Sequence, residues 1–169
     1  MHGEEQAMSE TVRESTADLT LSEAEALEKS GFVLEPDIGE DPFVQTEAEY
    51  ATLIQSSLSI IEAAKRLGVD PSRIWQRLTS EPPTLYGIRS GSSWYIPEVQ
   101  LDGNELVRGI SEVVSRLDPE LHPVAVLRWL TTSSRDLSAA ETKGRNLSPI
   151  DWLRLGLPVQ PVVDLAASL

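Results

Sequence analysis

Residues 59–78 read Ser-Ile-Ile-Glu-Ala-Ala-Lys-Arg-Leu-Gly-Val-Asp-Pro-Ser-Arg-Ile-Trp-Gln-Arg-Leu, and residues 85–97 read Leu-Tyr-Gly-Ile-Arg-Ser-Gly-Ser-Ser-Trp-Tyr-Ile-Pro. The first run carries the start and stop signals of a helix. Ser59 precedes Glu62 by the spacing of a capping box, and Gly68 suits the left-handed position at which a helix ends. A short helix is therefore predicted between Ser59 and Gly68.

A second helix is predicted to follow after a tight turn. Asp70 can cap it through its carboxylate, and Pro71 suits the first helical position because no N–H is needed there. Apolar residues recur at helical spacing on one face of both helices: Ile60, Ala63, Ala64, Leu67, Ile74 and Leu78. Two such helices around a glycine turn are typical of a helix-turn-helix.

The second run predicts a short β-hairpin after the helix pair. Two β-prone stretches, 86–89 and 94–96, flank Ser90-Gly91-Ser92 and leave Arg89 near the tip. A helix-turn-helix followed by such a ribbon is a winged helix-turn-helix. The predicted fold is therefore mainly α: a winged helix-turn-helix with a short β-hairpin, followed by a small helical C-terminal domain.

The residues of the second helix that point away from its apolar stripe are Ser72, Arg73, Gln76 and Arg77. Arginine can bond a guanine edge or a phosphate, glutamine can pair with an adenine edge, and serine can donate to a phosphate. Arg89 on the wing could contact a phosphate or the minor groove. The alternative interpretation is an ordinary solvated helix surface, with the wing aromatics covering a small core.

The net charge of −13 is unfavourable for DNA binding, but it is unevenly distributed. Residues 1–50 hold 14 acidic side chains against two basic ones, whereas residues 59–97 hold five basic against three acidic. This modest positive patch suits specific binding rather than high non-specific affinity, because counterion release scales with the number of phosphates contacted.

The chain is predicted to divide into three segments: an acidic, partly disordered arm at 1–45, the winged helix-turn-helix at 46–102, and a helical C-terminal domain at 103–169. Within the arm, capping-box spacing predicts a short helix near residues 22–30. In the C-terminal domain, helices are predicted from Asn104, after Pro123, from Ser148 to Gly156, and over 159–167, with a polar loop at 131–147.

The last three of these predicted helices hold more apolar side chains than three short helices need, so some are predicted to lie in a partner or dimer interface. The candidate partner-binding residues are Trp129, Trp152, Leu153, Leu155, Val159 and Val163. The alternative is that most of them form the core of the domain.

Composition and motifs argue against catalytic, metal-binding and membrane functions. The chain has no cysteine and only two histidines, and no metal-spaced cluster, nucleophile motif or phosphate-binding glycine loop is present. No apolar run reaches the ~20 residues that span a bilayer, and the first residues lack the features of a secretory signal. We therefore expect a cytoplasmic protein without a catalytic residue, metal, cofactor or membrane contact.

Three stretches carry a resemblance to known proteins: Ala63-Ala64-Lys-Arg-Leu-Gly-Val69, Trp94-Tyr-Ile-Pro97 and Ser148-Pro-Ile-Asp-Trp-Leu-Arg-Leu-Gly156. Together they resemble an actinobacterial group of small helix-turn-helix proteins, and the C-terminal part is similar to the toxin-binding domain of Xre/MbcA/ParS-type antitoxins. The helix pair with its wing is closer to MerR-like or excisionase domains than to the Xre fold. The resemblance implies an antitoxin that represses its own operon and blocks a partner, often a RES-domain toxin.

Two functional hypotheses follow from the sequence. The first is a sequence-specific, dimeric DNA-binding regulator, the antitoxin of a type II toxin-antitoxin pair. The second is an adaptor that does not bind DNA and uses its acidic arm and C-terminal helices to bind other proteins.

Overall fold

Helices and short strands alternate along residues 41–169, the part of the chain that the computed structural model describes. The α-helices are α1 Pro42–Gln55, α2 Ile60–Leu67, α3 Pro71–Thr79, α4 Ile110–Val114, α5 Pro123–Thr131, α6 Pro149–Arg154 and α7 Gln160–Ala166. The strands are β1 Ser57–Ser59, β2 Ile88–Ser90, β3 Ser93–Pro97, β4 Leu101–Asp102, β5 Glu105–Leu106, β6 Ser134–Ser138 and β7 Asn146–Leu147. The helix predicted near residues 22–30 lies outside the described residues, as does most of the acidic arm.

The prediction of a mainly α fold with a single hairpin is wrong. Helices, including two short 3₁₀ helices at Glu98–Gln100 and Ala140–Thr142, occupy 50% of the described residues and strands 17%, and the strands form three small antiparallel sheets. The fold is therefore mixed α and β. The wing itself, β2 and β3, gains a third strand because β1 pairs with β3 and places Leu58 opposite Ile96.

The other two sheets lie where the sequence predicts different structure. Instead of a helix from Asn104, the chain turns at Gly103, whose φ is 62°, and pairs β4 with β5, so that α4 begins only at Ile110. The predicted loop at 131–147 contains the paired strands β6 and β7. Their polar residues have weak strand preference, but Leu137 of β6 is fully buried and anchors the hairpin in the core.

The helix pair folds as its caps predict. The Ser59 hydroxyl accepts a bond from the Glu62 N–H at 3.2 Å, and the Glu62 carboxylate accepts one from the Ser59 N–H at 2.8 Å. Gly68 ends α2 with a φ of 64°. Between α2, α3 and β3 lies a small core of buried side chains: Ala63, Ala64, Ile74, Leu78, Leu85 and Ile96.

A second core joins the C-terminal helices to the β6–β7 hairpin. Its buried members are Val107, Ile110, Val113, Val114, Val126, Leu130, Leu137, Ile150, Trp152, Leu153, Val162 and Ala166. Ser148 caps α6 by accepting a bond from the Asp151 N–H at 3.2 Å, as predicted. The Trp152 indole N–H donates to the Pro158 carbonyl at 2.7 Å, which fixes the turn between α6 and α7.

Gly109 is where the second core tolerates a side chain least. Its φ is +82°, and a Cβ there would lie 2.5 Å from Cγ2 of Val159. Gly109→Ala is therefore expected to lower the free energy of unfolding by about 2 kcal/mol more than Gly103→Ala, through overpacking. Gly103 is the matched control because its φ is +62° with no atom within 4 Å of the added Cβ. Urea denaturation followed by circular dichroism measures both, and equal losses would contradict the expectation.

Candidate nucleic-acid interface

Helix α3 separates buried and exposed side chains cleanly. Ile74 and Leu78 are buried against α2 and the wing. The opposite side carries what we call the polar face, whose four members are all exposed: Ser72, Arg73, Gln76 and Arg77. The structure thus places these residues together on one surface, as the helical spacing predicts.

The start of α3 is held by its cap. The Asp70 carboxylate accepts a bond from the Ser72 N–H at 2.8 Å. Hydrogen bonding to Ser72, first through its side chain and then through its backbone, lowers the pKa of Asp70 below its ordinary value. The cap is therefore ionised at neutral pH, and it orients the first turn of α3 from which Ser72 and Arg73 project.

Three of the arginines in this region lack an ion-pair partner in the part of the chain that the structure describes. Among residues 41–169, no acidic side chain forms an ion pair with Arg73, Arg77 or Arg89. Arg66 differs, because it bonds Glu98 at 2.8 Å and the Gly103 carbonyl at 3.0 Å. Three exposed guanidinium groups are thus available to an anionic partner.

The wing carries the third of these guanidinium groups. Arg89 on β2 is exposed and lies opposite Trp94 on β3. The base of the wing is fixed by the buried side chain of Gln100, which accepts from the Tyr86 N–H and donates to the Tyr86 carbonyl, each at 2.8 Å. Burial raises the pKa of the Tyr86 phenol to about 12, so it stays neutral at physiological pH.

The sequence prediction of the interface omits Trp75. Trp75 lies on α3 and is 50% exposed. Its ring contacts that of Trp94 edge-on, with centroids 6.4 Å apart and planes at 89°. Because its ring contacts Trp94 on β3, Trp75 lies on the flank of α3 that faces the wing. The sequence signal that could have identified Trp75 was its position on the helix, which is close to the polar face yet outside the apolar stripe.

The candidate partner-binding residues do not share one surface. Trp152 and Leu153 are buried in the second core, with 5% and 1% exposure. Trp129, Val159 and Val163 are partly buried against the same core, and Leu155 is 62% exposed. Of the six, Leu155 therefore offers the largest fraction of its surface to another molecule.

Metal binding and membrane spanning have no counterpart in the part of the chain that the structure describes. Within residues 41–169, no group of three His, Asp or Glu side chains is placed to hold a metal ion. None of the helices in that range is both long and apolar enough to cross a membrane. His122 caps α5, its Nδ1 accepting from the Val124 N–H at 3.3 Å.

Comparisons with known proteins give one structural likeness. The chain matches no family model, and it matches no curated protein sequence. Among solved structures it is similar to the NMR structure of Rv2175c, at 24% sequence identity and a TM-score of 0.48. The match covers 66% of this chain and 79% of that one.

Proposed function

We propose that this protein is a sequence-specific DNA-binding transcriptional regulator. The observation that carries the proposal is the polar face of α3, where Arg73, Gln76 and Arg77 are exposed together on a capped helix, with a further exposed arginine, Arg89, on the wing. Such a helix fits the major groove of B-DNA, and a wing fits the adjacent backbone. The local excess of two basic residues in the stretch 59–97 agrees with this arrangement.

Each residue has a definite role in the proposed complex. Arg73 and Arg77 contact guanine edges or flanking phosphates, and Gln76 pairs with an adenine edge. Ser72 and Arg89 bond backbone phosphates and so fix the register of α3. Because one recognition helix covers few base pairs, the protein binds a two-fold operator as a homodimer.

More specifically, we propose that the protein is the antitoxin of a type II toxin-antitoxin pair in the cytoplasm. The support is the resemblance of Ser148–Gly156 to the toxin-binding domain of Xre/MbcA/ParS-type antitoxins. At the end of that segment, exposed Leu155 follows α6 directly. In this proposal the C-terminal helices bind a protein toxin, for example a RES-domain enzyme, and no residue of this chain is catalytic.

The proposed function is tested by binding to the DNA upstream of the protein's own reading frame, over a series of salt concentrations. We expect tight binding that weakens with salt in proportion to the phosphates contacted, and much weaker binding to unrelated DNA of equal length. Equally weak binding to both DNAs would instead favour the adaptor hypothesis.

The antitoxin assignment is tested separately by the neighbouring reading frame. We expect its product to copurify with this protein and to arrest growth when expressed alone. A neighbouring gene with a housekeeping product that does not copurify would contradict the assignment without affecting DNA binding.

A further inference from the structure

Trp75 presents an aromatic surface that the fold covers only in part. Trp75 is 50% exposed, and it is not among the buried residues of the first core, against which Trp94 packs. Its observed aromatic contact is the edge-on one with Trp94. An exposed tryptophan of this kind is an informative feature, because large aromatic side chains are usually buried or engaged in binding.

The position of Trp75 joins the polar face to the wing. Ser72 lies three residues earlier in α3, on a neighbouring part of the helix surface. On the other side, Trp94 is the cross-strand neighbour of Arg89. If α3 enters a groove while Ser72 and Arg89 contact the backbone, the indole of Trp75 lies between those two contacts, at the side of the groove.

The chemistry of the indole limits what it can recognise there. Tryptophan has one N–H donor and no acceptor, so it cannot form the paired donor and acceptor contact that Gln76 makes to adenine. The apolar group that duplex DNA offers in the major groove is the C5 methyl of thymine. A flat apolar surface next to an adenine-reading glutamine is complementary to an A·T step.

We propose that Trp75 is a specificity-determining residue that packs against the C5 methyl of a thymine, beside the base pair that Gln76 reads. This inference rests on the proposed DNA-binding function and adds a base preference to it. The edge-on contact with Trp94 holds the indole in place, so the surface is preorganised before DNA binds.

The test changes the DNA before it changes the protein. The wild-type protein first enriches a duplex from a random-sequence library, and each thymine of that duplex is then replaced singly by uracil. This replacement removes the methyl group and keeps every hydrogen-bonding group of the base. At one thymine or more we expect affinity to fall by about fourfold, as for one buried methyl group.

Two variants assign the effect to Trp75. Trp75→Ala is expected to bind the thymine and uracil duplexes equally. Thr79→Ala, an exposed position one turn further along α3, should keep the difference between the two duplexes. Circular dichroism shows that both variants are folded, and the wild-type comparison does not depend on either of them.

Three results would overturn the inference: equal wild-type affinity for all thymine and uracil duplexes, a difference that persists in Trp75→Ala, or tighter binding to the separated single strands. Failure of the wild-type protein to enrich any duplex would instead refute the DNA-binding function itself. The two kinds of failure are therefore distinguishable.

Discussion

The Arg73→Ala/Arg77→Ala double variant is expected to bind its upstream DNA about a hundredfold more weakly than the wild type, or worse. A well-placed arginine contact to a base contributes about 1–3 kcal/mol, and two contacts are lost together. Both side chains are exposed, and neither has an ion pair within residues 41–169, so their removal leaves no buried charge behind. Fluorescence anisotropy with labelled duplex measures the affinity.

The weaker DNA binding of the double variant should not result from loss of folding. Alanine favours the helix at least as well as arginine does, so α3 should be retained. Arg116→Ala/Arg145→Ala is the matched control, because it removes the same charge from two exposed arginines outside the helix-turn-helix and the wing. We expect the control to bind nearly as tightly as the wild type. An equal loss in both double variants would mean that overall charge, rather than the polar face, controls binding.

The helix-turn-helix was predictable because its signals are local. The capping box at Ser59, the turn at Gly68 and the cap at Asp70 each act within a few residues, and all three have the expected geometry. The polar face follows in the same way, since its position is fixed by the helical spacing from Ile74 and Leu78.

The short strands were not predictable in this way, because each depends on its partner. The three residues of β1 have no strand signal of their own and become a strand by pairing with β3. Similarly, β6 is held by the burial of Leu137, which its polar neighbours do not indicate. Strand preference reflects packing and pairing more than the sequence of one segment.

The exposure of tryptophan also depends on tertiary contacts. Trp75 and Trp152 both lie in amphipathic helices, yet Trp75 is 50% exposed and Trp152 is 5% exposed. The difference comes from the elements that pack on each helix. The wing contacts Trp75 edge-on through Trp94, whereas the second core includes Trp152 as a buried member. A sequence pattern identifies both side chains as apolar but does not show which of the two is buried.

Leu153 and Leu155 lie two residues apart in the C-terminal part and differ widely in burial. Leu153 is 1% exposed within the second core, whereas Leu155, two residues later, is 62% exposed. Leu153→Ala should therefore lower the free energy of unfolding by about 2–5 kcal/mol, through lost burial and the cavity left behind. Leu155→Ala should change it by no more than about 0.5 kcal/mol. Urea denaturation of the two variants measures the contrast.

Binding to the proposed protein partner should depend on Leu155. Leu155→Ala is expected to weaken association with the proposed toxin partner by about tenfold, since each buried carbon group that is removed costs about 0.8 kcal/mol. Ile61→Ala is the control, because Ile61 is an exposed apolar residue on α2, with 72% of its surface accessible, and is not part of the C-terminal helices. Titration calorimetry with the copurified neighbour measures both affinities. If Leu155→Ala and Ile61→Ala bind the partner as tightly as the wild type, the partner surface does not include the end of α6, and the antitoxin proposal loses its structural support.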